Sequence, residues 1–547
     1  MFVAGEFNPP WFDPSMPDRG RCVLAPLLDH WAAITPDKVF AIFEDGEQWT
    51  WARSRAEVRA VAHGLQQLGV RKGDAVAVWL PNGKTMFTAW FAISYLGAVF
   101  CPINTSFRGN LLAHVIKNAG AKLMVCHARL ADRLHDVELN QLEAIVPVGE
   151  WGESGGTVPA GLRLHPRSAL RGDGDALGPL PEMQPWDTYG IIYTSGTTGP
   201  SKGVLVSYLQ LYASGMVSYG YIGADDRMLV NLPMFHVGGT NSIYSILVRG
   251  ASFVLVDGFD SRNFWHRIKS TGCTTTAGLI GAMTDFLAKA PRSEGEKDNP
   301  LRFVTLGPVN QQTLELAARY DFSYITGFNM TEVSVPLIAD VDTRAFGSCG
   351  KPRDGMQCRL VDENDQEVAV GQLGELVLRS DLPWTITTGY NGMPEATARA
   401  WRNGWFHTGD IFRKDEHGNF FYMDRAKDAI RRRGENISSL EVEREVLSYA
   451  SVLEVAAIPV PNASGEDEVM VVVAPRPSET VDPAELLRFL IPRMAHFMLP
   501  RYVRIVQALP KTETNKIQKA GLRKEGVTSD TWDRDAAGIV VKREKLG

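Results

Sequence analysis

Helical and strand patterns alternate along roughly the first four hundred residues of this 547-residue chain. Residues 53–68 place apolar side chains three and four positions apart, as an amphipathic helix does. Residues 74–80 follow as a short apolar run, which is typical of a buried strand. The same helix and strand patterns recur at 111–118 and 122–126. This alternation predicts an α/β fold with largely parallel sheets.

The pattern changes twice in the second half of the chain, and these changes suggest domain boundaries. A chain of 547 residues is too long for one hydrophobic core, so at least two domains are expected. From Gly374 onward, short strands and turns predict a small β-barrel-like portion. After Arg425, helices and strands alternate again on a smaller scale. We therefore predict a large N-terminal domain over 1–425, a connection at 426–428 and a small α+β domain over 429–547.

Composition and charge exclude several classes of protein. Hydrophobic residues make up 44% of the chain and charged residues 22%, which is ordinary for a soluble globular protein. The net charge of −6 provides no basic surface for nucleic acid. The six cysteines include no Cys-x-x-Cys pair, which favours a reducing cytoplasm over a zinc site or a disulfide framework.

One uncharged stretch, Met86 to Ile103, has about the length of a membrane span. Gly97 and Pro102 interrupt it, and the β-favouring residues 99–101 follow the glycine. A buried helix, a turn and a core strand explain the stretch better. We therefore predict no membrane span.

The segment Thr194 to Gly203, TSGTTGPSKG, follows a predicted buried strand at 189–193. Gly196 and Gly199 let the backbone turn tightly and bring its amides close to an anion. Lys202 adds a positive charge, and hydroxyl donors come from Thr194, Ser195, Thr197 and Thr198. These groups suit a triphosphate, although the segment lacks the Gly-Lys-Ser/Thr ending of a P-loop. The alternative is an ordinary surface turn rich in Ser, Thr and Gly.

The order Thr-Ser-Gly-Thr-Thr-Gly, with a lysine three residues later, resembles the phosphate loop of the adenylate-forming superfamily. This superfamily includes acyl-CoA synthetases, aryl-CoA ligases, luciferases and the adenylation domains of peptide synthetases. Four further segments resemble its motifs in the same order. The resemblance implies ATP, Mg²⁺ and coenzyme A as cofactors, a small-molecule carboxylic acid as substrate and a mobile C-terminal domain. The sequence does not decide between a monomer and a homodimer.

The first further segment, GFNMTE at 327–332, offers a ring, a hydroxyl and a carboxylate within six residues. The resemblance implies that Phe328 packs against adenine, in a nucleotide-binding stretch that includes Asn329 and Met330. It also implies that Thr331 contacts phosphate and that Glu332 binds Mg²⁺, a cation that takes carboxylate and phosphate oxygens. Asn329 replaces a glycine usual in the family and borders the implied acyl pocket, which disfavours a plain fatty acid. Alone, the segment could be a capped loop.

Two segments imply contacts to ribose and coenzyme A. Asp410, in WFHTGD at 405–410, matches the carboxylate that accepts both ribose hydroxyls, and Arg425 matches a second ribose contact. Lys427 matches the hinge of the small domain. Gly434 matches a glycine whose missing side chain lets pantetheine pass the backbone. Arg433, in a run of three arginines, could hold the phosphates of coenzyme A or belong to a solvated surface.

The fourth segment, PKTETNKI at 510–517, places Lys516 at the position of the family's catalytic lysine. The resemblance implies that this side chain bridges the attacking carboxylate and the α-phosphate while negative charge builds up in the transition state. Asn515 precedes it where glycine is usual. In a polar loop, a lysine can instead be merely solvated.

Two weaker matches complete the implied site. In PMFHVGG at 233–239, His236 resembles a ring that shields the reacting carboxyl group, although a lone histidine can also be an ordinary half-buried residue. The implied acyl pocket adds Val237, Gly238 and Gly239 to His236 and Asn329. This stretch lacks the aspartate that holds an α-amino group in peptide-synthetase domains. An adenine contact is implied at Gly307 and Pro308.

Together these segments predict an AMP-forming acyl-CoA ligase that makes acyl-AMP and pyrophosphate and then passes the acyl group to coenzyme A. The GFNMTE segment and Gly238-Gly239 resemble the branch that contains carnitine/crotonobetaine-CoA ligases and ligases for resin-acid or steroid carboxylates. That branch suggests a bulky or polar acid. Three alternatives stay open: an enzyme that loads the phosphopantetheine of a carrier protein, a non-catalytic nucleotide-binding homologue, and a luciferase-type oxygenase.

Overall fold

The structure, a computed structural model, describes most of the chain, namely residues 16–150, 157–194, 201–280, 282–292, 294–425, 429–432, 435–462, 466–510, 517 and 519–541. Some predicted site residues lie outside these ranges, and their roles stay predictions: Ser195, Gly196, Thr197, Thr198, Gly199, Lys427, Arg433, Gly434 and Lys516. For Arg425, only the backbone is described.

Within the described chain, the first large sheet has seven strands that are parallel except for one antiparallel pair at its edge. In spatial order they are Ser323–Ile325, Phe303–Gly307, Thr275–Ile280, Arg227–Val230, Ser252–Leu255, Val39–Phe43 and Gln48–Thr50. Because parallel neighbours end at the same edge, the segments after Gly307 and Ile325 leave the sheet side by side. Ligands of open α/β sheets bind at this edge.

The second large sheet also has seven strands in the described chain, again parallel except at one edge. In spatial order they are Arg163–Leu164, Ala144–Val148, Leu123–His127, Ala75–Trp79, Val99–Pro102, Thr188–Thr194 and Lys202–Ser207. The last two strands are antiparallel and are joined by the phosphate-loop segment. The two sheets confirm the prediction of an α/β fold with largely parallel strands.

Local sequence explains where the predicted helices begin and end. The helix Trp51–Gln67 begins where the Thr50 side chain accepts a hydrogen bond from the Arg53 amide at 3.2 Å, and Gly69 follows its end with a left-handed φ of 94°. A threonine cap and a glycine stop are ordinary helix signals. The prediction for residues 53–68 is therefore confirmed.

The uncharged stretch is confirmed as core. Its helix, Lys84–Tyr95, is buried at every position from Met86 onward, and the strand Val99–Pro102 follows after the turn at Gly97. Among the described residues, no helix combines the length and the apolar character that crossing a membrane requires.

Antiparallel sheets follow the two parallel ones and form the predicted barrel-like portion. A three-stranded sheet contains Gly327–Met330, Ser334–Ile338 and Lys351–Pro352, and a five-stranded sheet contains Met356–Val361, Leu373–Ser380, Trp401–Arg402, Trp405–Lys414 and Phe420–Arg425. The strand Gly327–Met330 begins just after the edge of the first parallel sheet. The GFNMTE segment therefore lies where that sheet meets the antiparallel portion.

The C-terminal part is a smaller α+β unit, as the sequence predicts. Its strands are Ala429–Arg432, Glu435–Ser438, Val452–Pro461, Asp467–Pro475, Tyr502–Ile505 and Thr531–Asp533. Its helices are Ser439–Leu447, Pro483–Leu490 and Lys519–Glu525. A four-stranded sheet forms its centre, with apolar strands at Val452–Pro461 and Asp467–Pro475.

The remaining helices of the described chain lie in the large N-terminal part. The α-helices are Arg19–Cys22, Leu24–Ile34, Gly109–Ala119, Tyr208–Ala213, Val237–Arg249, Phe264–Thr271, Ala282–Ala288, Gln311–Tyr320 and Pro394–Ala400. Short 3₁₀-helices span Ala128–Asp136, Arg167–Leu170 and Gly174–Ala176, and a π-helical turn spans Ser214–Ser218.

Candidate active site

Two strands hold the ends of the phosphate-loop segment. Thr194 and Lys202 face each other in the antiparallel register of Thr188–Thr194 and Lys202–Ser207. The Tyr193 hydroxyl donates to Asn118 Oδ1 at 2.9 Å. A Cβ at Gly203 would lie 2.7 Å from that same oxygen, so only glycine fits this close approach. The structure thus brings Thr194 and Lys202 to the mouth of one hairpin.

A second segment, residues 387–391, lies along the outer side of the Lys202–Ser207 strand. The Asn391 amide donates to the Gly203 carbonyl at 2.7 Å, and the Leu205 amide donates to the Gly389 carbonyl at 3.1 Å. These bonds place Tyr390 beside Lys202, whose ammonium nitrogen lies 4.6 Å from the centroid of the tyrosine ring. This distance is within the range of a cation–π contact.

Tyr390 also contacts Glu332, the predicted magnesium ligand. Its hydroxyl donates to Glu332 Oε1 at 3.0 Å. Both side chains are buried, with 6% of Tyr390 and 8% of Glu332 exposed. Lys202, Tyr390 and Glu332 therefore form one connected group next to the phosphate-loop segment, although they come from three separate parts of the chain.

The backbone on both sides of Glu332 is anchored. Gln210 Nε2 donates to the Thr331 carbonyl at 2.8 Å, and the Thr387 amide donates to the Glu332 carbonyl at 2.7 Å. Ser334, two residues later, takes a left-handed backbone with φ of 64°. This tight turn presents the Thr331 side chain, half-buried, next to the buried carboxylate.

The aromatic residue assigned to adenine lies on the neighbouring antiparallel sheet. The Phe328 ring is half-buried, with its centroid 5.0 Å from that of Phe412 and 6.3 Å from that of Tyr422. Asn329 is exposed and Met330 is half-buried. Phe412 is fully buried and packs edge-on against Phe328, whereas Phe328 and Tyr422 are half-buried and leave apolar ring surface that a purine could contact.

Gly307 and Pro308 lie close to this segment. They end the strand Phe303–Gly307, and a Cβ at Gly307 would lie 3.3 Å from the Thr326 hydroxyl. Gly307 is half-buried and Pro308 is exposed. The structure thus places the second implied adenine contact next to the first, at the edge where the parallel strands end.

The two residues assigned to ribose are cross-strand partners. Asp410 and Arg425 are paired in the register of the strands Trp405–Lys414 and Phe420–Arg425. Asp410 is 2% exposed, and its amide donates to the Thr408 hydroxyl at 3.1 Å. Directly opposed residues are the closest neighbours that an antiparallel pair provides. Their assignment to one ligand therefore agrees with the register.

A glutamate not predicted from sequence shapes the turn before Asp410. Glu375 accepts a hydrogen bond from the Gly409 amide at 2.9 Å and contacts His407 Nδ1 at 3.0 Å. Gly409 itself has φ of 73°, a conformation that favours glycine. Glu375 lies where the pairing between the two strands shifts register. The Glu375 carboxylate therefore fixes the strand irregularity that precedes Asp410.

His236 begins the helix Val237–Arg249 and lies against Phe235, with ring centroids 4.8 Å apart. Val237 and Gly239 are buried, whereas His236 and Gly238 are half-buried. A Cβ at Gly239 would lie 2.6 Å from the carbonyl carbon of Pro233, so its missing side chain accommodates the protein's own backbone. At Gly238, a Cβ would meet only Leu232 Cδ1, at 3.1 Å. Of the two glycines, Gly238 has the more adaptable surroundings.

The C-terminal part contacts the phosphate-loop segment directly. The Ser201 hydroxyl donates to Glu441 Oε1 at 2.9 Å, and His114 Nε2 lies 2.7 Å from the Ser201 carbonyl oxygen. Burial raises the pKa of Glu441 to about 7 and lowers the pKa of His114. Nearby, Asn110 Nδ2 donates to Glu445 Oε1 at 2.7 Å. Helix Ser439–Leu447 therefore docks beside the end of the phosphate loop.

The arginine run includes a residue with a structural role. Arg432 is 2% exposed, forms an ion pair with Glu468 at 2.7 Å and donates to the carbonyls of Phe497 and Leu499 at 3.0 and 2.9 Å. This guanidinium is used inside the C-terminal unit. The proposal of a coenzyme A contact concerns Arg433, which lies outside the described residues.

Comparison with known protein families defines the class of protein to which this fold belongs. The model described as AMP-binding enzyme matches residues 28–391, and the model described as AMP-binding enzyme C-terminal domain matches residues 441–516. The first match spans more than half of the chain, so this protein belongs to the AMP-binding enzyme family.

Similar proteins cover nearly the whole chain. A crotonobetaine/carnitine–CoA ligase from Salmonella agona is 28% identical over 515 residues, which covers 91% of this chain and 98% of that protein. The structure of an o-succinylbenzoate CoA synthetase from Bacillus subtilis superposes with a TM-score of 0.77 at 22% identity, over 91% of this chain and 98% of its own. An amide bond synthetase from Marinactinospora thermotolerans gives 0.75 at 23%, over 92% and 99%. These structures support the fold.

The sequence reasoning missed Glu375 and also Tyr390, Asn118 and Glu441. The last three each act through partners far away in the chain. A signal for Tyr390 is nevertheless present, because the glycine-flanked TTGYNG segment at 387–392 directly precedes a helix that begins with proline. Such a segment predicts a constrained turn.

Proposed function

We propose that this protein activates a bulky or polar small-molecule carboxylic acid with Mg·ATP and transfers it to coenzyme A. The protein is an ATP-dependent, AMP-forming acyl-CoA ligase, an acid–thiol ligase. The observation that carries the proposed site is the convergence of Lys202, Tyr390 and Glu332 beside the phosphate-loop segment. A cation and a carboxylate held together in this way suit a phosphate chain with its metal ion.

In the first half-reaction, a carboxylate oxygen of the substrate attacks the α-phosphorus of ATP, and pyrophosphate leaves. Phosphoryl chemistry asks the protein mainly for positioning and charge neutralisation. Lys202 supplies a positive charge to the phosphates, and Lys516, delivered from the C-terminal part, supplies the second. Asp410 accepts the ribose hydroxyls, and Arg425 adds the second ribose contact.

Magnesium is part of the proposal, and the surroundings of Glu332 fit it. The carboxylate is buried, and its Oε1 is already engaged by the Tyr390 hydroxyl. Mg²⁺ usually takes one or two carboxylates together with substrate phosphates, which this arrangement can satisfy. When bound, the ion neutralises charge on the phosphate chain.

In the second half-reaction, the thiol sulfur of coenzyme A attacks the acyl carbonyl carbon and AMP leaves. We propose that the C-terminal domain rotates about Lys427 between the two steps, so that Lys516 is replaced by Gly434 at the site. Domain closure about a hinge is an ordinary way to run two reactions in one pocket. The relatives that this chain matches over nearly their full length are named as CoA ligases, which supports coenzyme A as the acceptor.

The acid is the least constrained part of the proposal. The relatives named for crotonobetaine and carnitine support a polar substrate, and so does the exposed Asn329 amide in the implied acyl pocket. A location in the cytoplasm, where ATP and coenzyme A are supplied, belongs to the same proposal.

The test is acid-dependent release of pyrophosphate, measured over a panel of short, aromatic, quaternary-ammonium and polycyclic carboxylic acids. We expect release with one class of acid and, when coenzyme A is added, AMP and a thioester in equal amounts. No exchange between ATP and pyrophosphate with any acid would favour a non-catalytic homologue. Thioester formation on a phosphopantetheinylated carrier protein, but not on free coenzyme A, would favour the carrier-loading alternative.

A further inference from the structure

We infer that Tyr390 is a positioning residue for the adenylation step, because its hydroxyl orients the Glu332 carboxylate while its ring holds the Lys202 ammonium. The inference rests on the proposed function and extends it to a residue outside the motifs that define the site. Tyr390 contacts both the cation and the carboxylate of the described site.

The hydrogen bond from the Tyr390 hydroxyl determines the orientation of the Glu332 carboxylate. The last torsion of a glutamate side chain is broad, so the carboxylate plane is not fixed by rotamer preference alone. The hydrogen bond from Tyr390 to Oε1, at 3.0 Å, selects one plane and so sets the direction in which Oε2 points. Hydrogen bonds of this kind orient metal ligands in many proteins. A metal ion bound to Glu332 would therefore depend on Tyr390 for its position.

The ring contact constrains a different group. A lysine side chain is a flexible four-carbon stem that ends in a point charge, so each contact of the ammonium helps to decide where that charge lies. The aromatic face of Tyr390 lies 4.6 Å from Lys202 Nζ and attracts the charge without neutralising it, as a carboxylate would. The ring contact therefore restricts the position of the Lys202 charge without cancelling it.

Tyr390 itself is held by the protein. Its amide donates to the Thr397 hydroxyl at 2.9 Å, and the neighbouring Asn391 exchanges hydrogen bonds of 2.7 Å with Asn118. A Cβ at Gly389, which has φ of 147°, would lie 2.6 Å from Thr397 Cγ2. These hydrogen bonds and the close packing at Gly389 hold the segment in place before substrate arrives, as a positioning residue requires.

The two contacts can be separated by substitution. Tyr390→Phe keeps the ring and removes the hydroxyl, whereas Tyr390→Leu removes both. For Tyr390→Phe we expect kcat for adenylation to fall by about tenfold to a hundredfold, which is the usual cost of losing an orienting partner of a metal ligand. The Mg²⁺ concentration for half-maximal rate should rise, while KM for ATP changes little. Tyr390→Leu should in addition raise KM for ATP.

The experiment measures ATP–pyrophosphate exchange against Mg²⁺ concentration for the wild type and both variants. In parallel, supplied acyl-AMP and coenzyme A measure the second half-reaction, which uses neither pyrophosphate nor its metal ion and should change by less than about threefold. Tyr320→Phe is the matched control, because its ring stacks on Trp265 in a different part of the large domain. Equal losses in both half-reactions, or an unchanged Mg²⁺ dependence, would overturn the inference.

A metal-binding measurement distinguishes failure of the positioning role of Tyr390 from failure of the proposed function. The affinity of the protein for Mn²⁺ in the presence of a non-hydrolysable ATP analogue can be followed by electron paramagnetic resonance. We expect it to weaken at least tenfold in Tyr390→Phe. If the wild type catalyses no exchange with any acid, the proposed function fails, but weaker Mn²⁺ binding in the variant still supports the positioning role. Unchanged Mn²⁺ binding refutes it.

Discussion

Glu441 makes the contact between the two domains sensitive to pH. Its carboxylate is buried against Ser201, and burial raises its pKa from 4.5 to about 7. Separation of the domains would return the group to water and its pKa to the ordinary value. The docked state thus favours the protonated form. The stabilisation of docking by the protonated Glu441 carboxyl is complete below pH 4.5, declines as the pH rises and is lost above about pH 7.

The size of the effect follows from these two values. Between pH 5 and pH 8, the ionisation of Glu441 weakens docking by about 2.5 kcal/mol, or roughly seventyfold in the docking equilibrium. Glu441→Gln removes the titration and keeps an oxygen that can accept from Ser201. His114 acts in the opposite direction, because burial lowers its pKa and disfavours docking at acidic pH. The prediction therefore concerns the difference between the wild type and Glu441→Gln, in which the contribution of His114 cancels.

Energy transfer between two dyes measures the docking equilibrium. Cysteines at the exposed positions Lys122 and Glu479 carry the dyes, after the half-buried Cys349 and Cys358 are replaced by serine. We expect the wild type to lose docking relative to Glu441→Gln as the pH rises from 5 to 8. Glu416→Gln, at an exposed site, should leave the profile unchanged. A constant difference between wild type and Glu441→Gln across this range would refute the reasoning.

Three further predictions concern single side chains. Lys516→Ala should slow acyl-AMP formation by about 10²-fold to 10³-fold, as loss of a transition-state charge stabiliser does. The variant should still convert supplied acyl-AMP and coenzyme A to thioester. Equal losses in both steps would contradict the assigned role of Lys516. Asp410→Ala should raise KM for ATP at least tenfold and abolish discrimination against 2′-deoxy-ATP, measured by pyrophosphate exchange, and retained discrimination would argue against the ribose contact. Gly239→Ala should destabilise the protein by about 1–3 kcal/mol in urea unfolding, because its Cβ overlaps the Pro233 backbone. Gly238→Ala, which meets only a flexible leucine, should cost less, and a stable Gly239→Ala with altered acid preference would mean that this glycine faces substrate.

The sequence predicts the parallel sheets because their signals are local. The apolar run at 74–80 becomes the strand Ala75–Trp79, and the periodic stretch at 53–68 becomes the helix Trp51–Gln67. Boundaries are less well determined, since the strand predicted over 74–80 spans only Ala75–Trp79.

The site is predictable only where a motif carries it. Glu332 and Asp410 lie in recognisable segments, and the structure describes both as buried acids, Glu332 in a turn and Asp410 within the strand Trp405–Lys414. The TTGYNG segment predicts a turn at Tyr390 but not its contact with Glu332, which lies 58 residues earlier in the chain. Asn118 is 273 residues from Asn391. No local pattern reports contacts of this range, because they arise only when the second parallel sheet and the antiparallel portion pack together.

The segment at 389–391 also protects the molecule from self-association. Strand Lys202–Ser207 is the outermost of its sheet, and an open outermost strand invites pairing with another chain and fibrous aggregation. Here the outward-facing Gly203 carbonyl accepts from the amide of residue 391, and the Leu205 amide donates to the carbonyl of residue 389. Substitutions that loosen this cover would therefore lower soluble yield as well as turnover, and insoluble protein from such variants would not by itself disprove a catalytic role.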